Sequence, residues 1–287
     1  MSFPSEPPAR PARPASPKLH LRLETVGRRT YRVASPRPGC DAAFSTNYFH
    51  ETWHVLSDPP GAAFFARLLW GLSFQKQPGT LVCVHGRHLR PTPFDADPSD
   101  PIVLVPTALT PVVADDLRAL RERLRRPSLH GTRLAWPSFG LEPALAERDA
   151  EVKADWRTQR WRRLRDAELL DVRRVGGCVV LAGPAAALRE AALDVERMAR
   201  GRTYAGQNAV DLGEWGARGS RSSPGEVQVF DRYLPMLSEA AEARRRVLAE
   251  GEVPASRDEL LWNIGLRREA VSAERRAARL ARAKAAR

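Results

Sequence analysis

The chain is poor in the residues that usually announce a chemistry. Its three cysteines, Cys40, Cys83 and Cys178, are odd in number and far apart, and no Cys-x-x-Cys occurs. A disulfide framework is not expected; the pattern reads as reduced, structural thiols in a cytoplasmic protein. Long apolar runs are missing as well. The longest covers residues 61–74 and is interrupted by Arg67, whereas a bilayer span takes about 20 apolar residues. No membrane association is expected, and the Pro-rich start lacks the apolar stretch of a secretory signal. Absent too are the Gly-x-x-x-x-Gly-Lys-Ser/Thr loop, the Gly-x-Gly-x-x-Gly turn and the Gly-x-Ser-x-Gly elbow. Gly176-Gly177 precedes an apolar strand and does not open a helix, so it is not read as a phosphate cradle.

Charge is present but unevenly placed. The formal net charge of the 287 residues is +12. Residues 1–40 hold eight basic and two acidic side chains, and residues 267–287 hold the same numbers, so residues 41–266 are neutral. Electrostatic attraction to a polyanion therefore belongs to the ends and not to the body.

Hydrophobic residues at 43% and charged residues at 28% are those of a globular protein. Residues 1–17 carry six prolines and few apolar side chains, and are expected to be a disordered tail. An α+β globular domain is expected over 18–200, with a mixed sheet packed by helices. A Gly/Ser/Arg-rich linker or loop over 201–225 and a mostly helical C-terminal third, 226–287, complete the chain. Within the domain, Leu19, Leu21 and Leu23 alternate with polar residues as a half-buried strand does. Residues 80–84, 102–105 and 178–181 are short apolar strands. Leu117, Leu120 and Leu124 give a helical stripe, and residues 42–57 are expected to be a helix ended by Asp58-Pro59-Pro60-Gly61. The strand-turn-helix units at 102–126 and 178–200 resemble each other and hint at a duplication.

The most specific motif is His50-Glu51-Thr52-Trp53-His54. On a helix, positions i and i+4 share a face, so His50 and His54 would present two imidazoles to one ion. Glu51 would stand beside them to take a proton from a metal-bound water. Over about ten residues this resembles the HExxH helix of the zincin metallopeptidases. The resemblance implies a zinc-dependent hydrolase with His50 and His54 as ligands and Glu51 as general base. Ser57 and Pro60 depart from the longer metzincin pattern, and no Glu follows Glu51 until Glu122. A third ligand would come from the proline-rich loop 85–101, from His85, His88 or Asp95, with Asp97 as a further choice. The plainer alternative is a pair of ordinary, partly buried histidines.

A second reading is non-catalytic binding of DNA or RNA. Trp156, Arg157, Arg160, Trp161, Arg162 and Arg163 interleave stacking and phosphate-binding groups. Arg275, Arg276, Arg279 and Arg282 could follow a phosphate backbone from a helical arm. The alternative for both is a solvated helix face. A third reading is a scaffold or partner-binding protein whose basic tail meets an acidic surface.

Overall fold

A computed structural model describes residues 17–125, 131–136, 138–166, 170–201, 208–212, 225–250 and 256–285, with the side chains of 154–166 outside the description. All but Pro17 of the tail expected at 1–17, and most of the expected linker, lie outside these residues. The period-2 pattern at Leu19 becomes β1 (Lys18–Val26), which turns through Gly27 at φ +57° into β2 (Arg29–Pro36). A second hairpin, β3 (Phe44–Phe49) and β4 (Thr52–Ser57), leads into α1 (Pro59–Ser73), β5 (Thr80–Val84) and β6 (Ile102–Pro106). Then come α2 (Ala114–Arg125), β7 (Thr132–Ala135), α3 (Leu141–Asp166), β8 (Asp171–Val175), β9 (Cys178–Gly183) and α4 (Ala185–Ala199). The chain ends with β10 (Ala209–Asp211), β11 (Gly225–Val229), α5 (Tyr233–Ala249) and α6 (Arg257–Ala285).

These elements form an α+β fold with two mixed sheets. The first has strand order β7-β1-β2-β5-β6-β9-β8, and the second β10-β11-β4-β3. The helices α1 and α4 lie between the sheets. The apolar faces of Val82, Val84, Ile102, Leu104, Val179 and Leu181 meet them from the first sheet, and Phe44, Val55, Val227 and Val229 from the second. Because α1 touches both sheets it is apolar nearly all round: Ala62, Phe65, Ala66, Leu68, Leu69 and Leu72 are buried. The opposite face of the first sheet, with Val33, Leu81, Cys83, Val103 and Val180, is covered by Leu117, Leu120 and Leu124 of α2. The outer face of the second sheet meets α5, where Tyr233 packs on Leu56 and Ala43. The strand-turn-helix units that resemble each other thus place their helices on opposite faces: α2 covers one side of the first sheet, α4 the other.

Several local expectations are corrected. Residues 42–57 are a hairpin and not a helix, because Thr46, Tyr48, Phe49, Thr52, Trp53 and Val55 are β-branched or aromatic and pair strand to strand. Asp58 does not end a helix but caps the next one: its Oδ1 accepts the Gly61 N–H at 2.8 Å, with prolines in the first turn of α1. Residues 172–181 are two strands folded at Gly176-Gly177, both with positive φ, and 225–229 are a strand parallel to β4 before the helix α5 begins.

Candidate functional site

The HExxH residues sit on the β3–β4 hairpin. His50 and Glu51 are its two turn residues, with φ of 48° and 59°. Positive φ at both positions is the mirror-image turn that matches the twist of a two-residue hairpin. His50 and Glu51 are exposed at the tip, and the His50 ring lies 3.9 Å from that of Phe49. His54, three residues into β4 and buried, places Nε2 3.0 Å from Oε2 of Glu226 on the neighbouring β11. Burial opposes ionisation of Glu226, but hydrogen bonds from His54 and Gln228 hold its pKa below the ordinary value. The helix that would bring two imidazoles to one ion, with Glu51 beside them, is not there.

The other proposed ligands have partners of their own. Asp95 closes a tight turn, accepting from the Thr92 hydroxyl and from the Asp97 N–H at 2.9 Å, with Ala96 at φ 56°. Asp97 is paired with Arg257 and, at 3.5 Å, with Arg244. His88 donates from Nδ1 to the Ala42 carbonyl at 3.1 Å; burial lowers its pKa against that pull. Among the described residues no group of three His, Cys, Asp or Glu side chains converges as a metal site requires.

His85 is the exception, because it lines a cleft. The alternation of β5 puts Leu81 and Cys83 on the α2 side of the first sheet. His85, two residues further, joins Cys83, Arg90, Pro101, Arg121 and Leu124 around a space of about 470 Å³ at the ends of β5 and β6. The wall is the long connection 85–101. It is held on one side by β3: the Arg90 N–H donates to the Phe44 carbonyl at 2.7 Å, and the Ser99 hydroxyl accepts from the Thr46 N–H at 2.9 Å. On its other side it is held by the C-terminal helices: Arg268 donates to the Pro93 carbonyl at 2.9 Å and lies over the Phe94 ring.

The cleft is electropositive. Arg90, Arg121, Arg125 and His85 line it with one carboxylate, Asp100, which Arg174 neutralises at 2.6 Å. Arg125 is paired with Glu122 at 3.1 Å. The guanidinium groups of Arg90 and Arg121 meet no carboxylate among the described residues. Arg121 lies directly over Gly177, where a Cβ would collide with its Nη1. The neighbouring Gly176 has the Ala114 carbonyl oxygen 2.5 Å from the position of a Cβ, so the diglycine turn is what lets α2 and Arg121 approach the sheet. Burial, and then the Arg22 charge, lower the His85 pKa to about 4, so its imidazole is neutral at pH 7. The Cys83 thiol on the floor is pushed far above its ordinary value by burial, which keeps it un-ionised.

Sequence reasoning named His85, but as a metal ligand, and missed Arg90 and Arg121. The signal was Gly176-Gly177, whose partner across the fold is an arginine side chain. Of the residues named for nucleic acid, Trp156, Arg157, Arg160, Trp161, Arg162 and Arg163 fall on α3, where side chains are not described. Arg275 is tied to the Ser238 hydroxyl at 2.9 Å, while Arg276, Arg279 and Arg282 are exposed on the last turns of α6. No described helix is long and apolar enough to cross a membrane. Comparison with family models, curated proteins and solved structures finds no match for this chain.

Proposed function

We propose that the protein binds a small ligand carrying an oxyanion, a phosphate ester or a carboxylate, in the cleft between loop 85–101 and α2. The observation that carries this is Arg121: a guanidinium seated over Gly177, lining a concave site, with no carboxylate partner among the described residues. Arginine forks match phosphate and carboxylate oxygens two at a time, and such charge-assisted bonds are about twice as strong as neutral ones. Arg90 supplies a second cation from the facing loop. Neutral His85 can donate or accept one bond without adding charge, and Cys83, Leu124 and Pro101 give an apolar floor for the ligand's body. A volume of about 470 Å³ suits a metabolite-sized molecule.

The test is calorimetric titration of the full chain with inorganic phosphate, pyrophosphate, a nucleoside monophosphate and citrate. Binding by one class separates phosphate from carboxylate recognition. Arg121→Gln is expected to weaken the preferred ligand by about 10- to 100-fold. Gly177→Ala, which pushes the guanidinium aside, is expected to weaken it in the same direction while leaving Arg121 present. No saturable binding by any of the four, or binding that both variants retain, contradicts the reading.

A further inference from the structure

Helix α6 turns one face to α5 and leaves the other to solvent. Ile264 and Val271 are buried against Ala243 and Val247. Arg267 and Arg275 flank that seam and reach Glu250 and Ser238, at either end of the pairing. The opposite face carries Glu259, Trp262, Leu266, Ala270, Ala273, Ala277, Leu280 and Lys284, all exposed. Each step along it is three or four residues, which makes one straight stripe along a helix. Trp262 is 69%, Leu266 54% and Leu280 60% exposed, so the large apolar groups of the stripe are the ones left uncovered. A lone exposed leucine needs no explanation; three large apolar side chains in one row do.

The order along the stripe says what covers it. An acid stands at its start, a lysine at its end, large groups lie towards the ends and alanines in the middle. Turned end for end about a point between residues 271 and 272, the stripe meets its own complement. Glu259 faces Lys284, Trp262 faces Leu280, Leu266 faces Ala277, and Ala270 faces Ala273. Tryptophan packs on leucine towards each end, Leu266 meets an alanine, acid meets base, and the alanine pairs let the two backbones come close. Asp258 adds a second carboxylate near the partner's lysine end. A parallel arrangement would instead oppose tryptophan to tryptophan, acid to acid and lysine to lysine. We infer that α6 is the interface of a two-fold symmetric dimer, in which the helices of two copies of this chain pack antiparallel over about 38 Å. The contact is isologous, so it closes on itself and leaves no edge for further growth. The Trp262 pair, one at each end, anchors the interface as buried aromatic residues do elsewhere.

Sedimentation of the full chain reads this directly. A dimer is expected at tens of micromolar protein. Leu266→Glu is expected to give a monomer with an unchanged circular dichroism spectrum, because Leu266 is 54% exposed and lies outside the buried seam of Ile264 and Val271. Lys284→Glu is expected to weaken the dimer about tenfold, and adding Glu259→Lys in the same chain to restore it, since the two positions face each other across the two-fold axis. In a parallel pair the single reversal has no effect. With Cys40 replaced by Ser, an equimolar mixture of Ala270→Cys and Ala273→Cys chains is expected to oxidise preferentially to the mixed disulfide. A wild-type chain that sediments as a monomer up to about 100 µM overturns the inference. So does a dimer that survives Leu266→Glu, or a dimer indifferent to Lys284→Glu.

Discussion

His85 shows how one side chain's surroundings decide its role. Burial first, and then the charge of Arg22, lower its pKa from 6.5 to about 4. The unfolded chain binds that proton at a higher pH than the folded one. Stability from this group is therefore full above about pH 6.5 and is lost as pH falls towards 4. Burial moves His88 in the same direction, so it adds to the same acid-side loss. The expected outcome is a melting temperature that drops steadily between pH 6.5 and pH 4, and a shallower drop for His85→Asn. An identical slope in the variant would mean that the imidazole is not held neutral. In the sequence, His85 and His88 stand three positions apart and offer themselves as alternative ligands for one ion. Residues 86–88 form a single tight helical turn, and the two rings go to different places: His85 to the cleft, His88 to the Ala42 carbonyl. Arg121 was illegible for a related reason. Its surroundings are set by a glycine 56 positions further along the chain, and no local pattern carries that information.

At the scale of elements, reading the motif at His50 as a helix was the costly error. Residues 42–57 place aromatic groups at spacings that fit both a helix and a strand, and the two-residue turn lacks the Asn-Gly that announces a hairpin. His50 and Glu51 instead hold left-handed backbone conformations that side chains with a Cβ disfavour. His50→Asn/Glu51→Gly is therefore expected to raise the unfolding free energy by about 1 kcal/mol in urea titrations. A loss of stability on making this change would contradict the turn. Strands and helices with a single strong period were legible. The alternation of β1, the apolar β5, β6 and β9, and the Leu117, Leu120 and Leu124 stripe all stand where the sequence puts them. The short strand β11 falls at the start of the segment expected to be mostly helical, because its Val-x-Val pattern spans only three residues, too few to fix a period.

For the molecule as a whole, the α+β class was readable from composition and period, while the second sheet was not. It assembles β3 and β4 with β10 and β11, which enter more than 150 residues later. That long-range pairing packs Phe44, Val55 and Val227 against the helix layer and sets β3 beside the 85–101 connection. The same connection is clamped from behind by Arg244, Arg257 and Arg268 of the C-terminal helices. The cleft wall is thus a shared product of the second sheet and the C-terminal third, although its floor belongs to the first sheet and α2. Neutral composition over residues 41–266 hid the site for the same reason. Its positive character comes from which arginines have carboxylate partners and which do not, and that is settled only by folding.

The measurement that bears most directly on this account is a crystal soaked in tungstate, a tetrahedral oxyanion located by its anomalous scattering. The account predicts one dominant site in the cleft, with tungstate oxygens within hydrogen-bond distance of the Arg121 guanidinium, and its loss in Arg121→Gln crystals. An empty cleft beside occupied sites elsewhere, or a cleft site unaffected by that substitution, would contradict it.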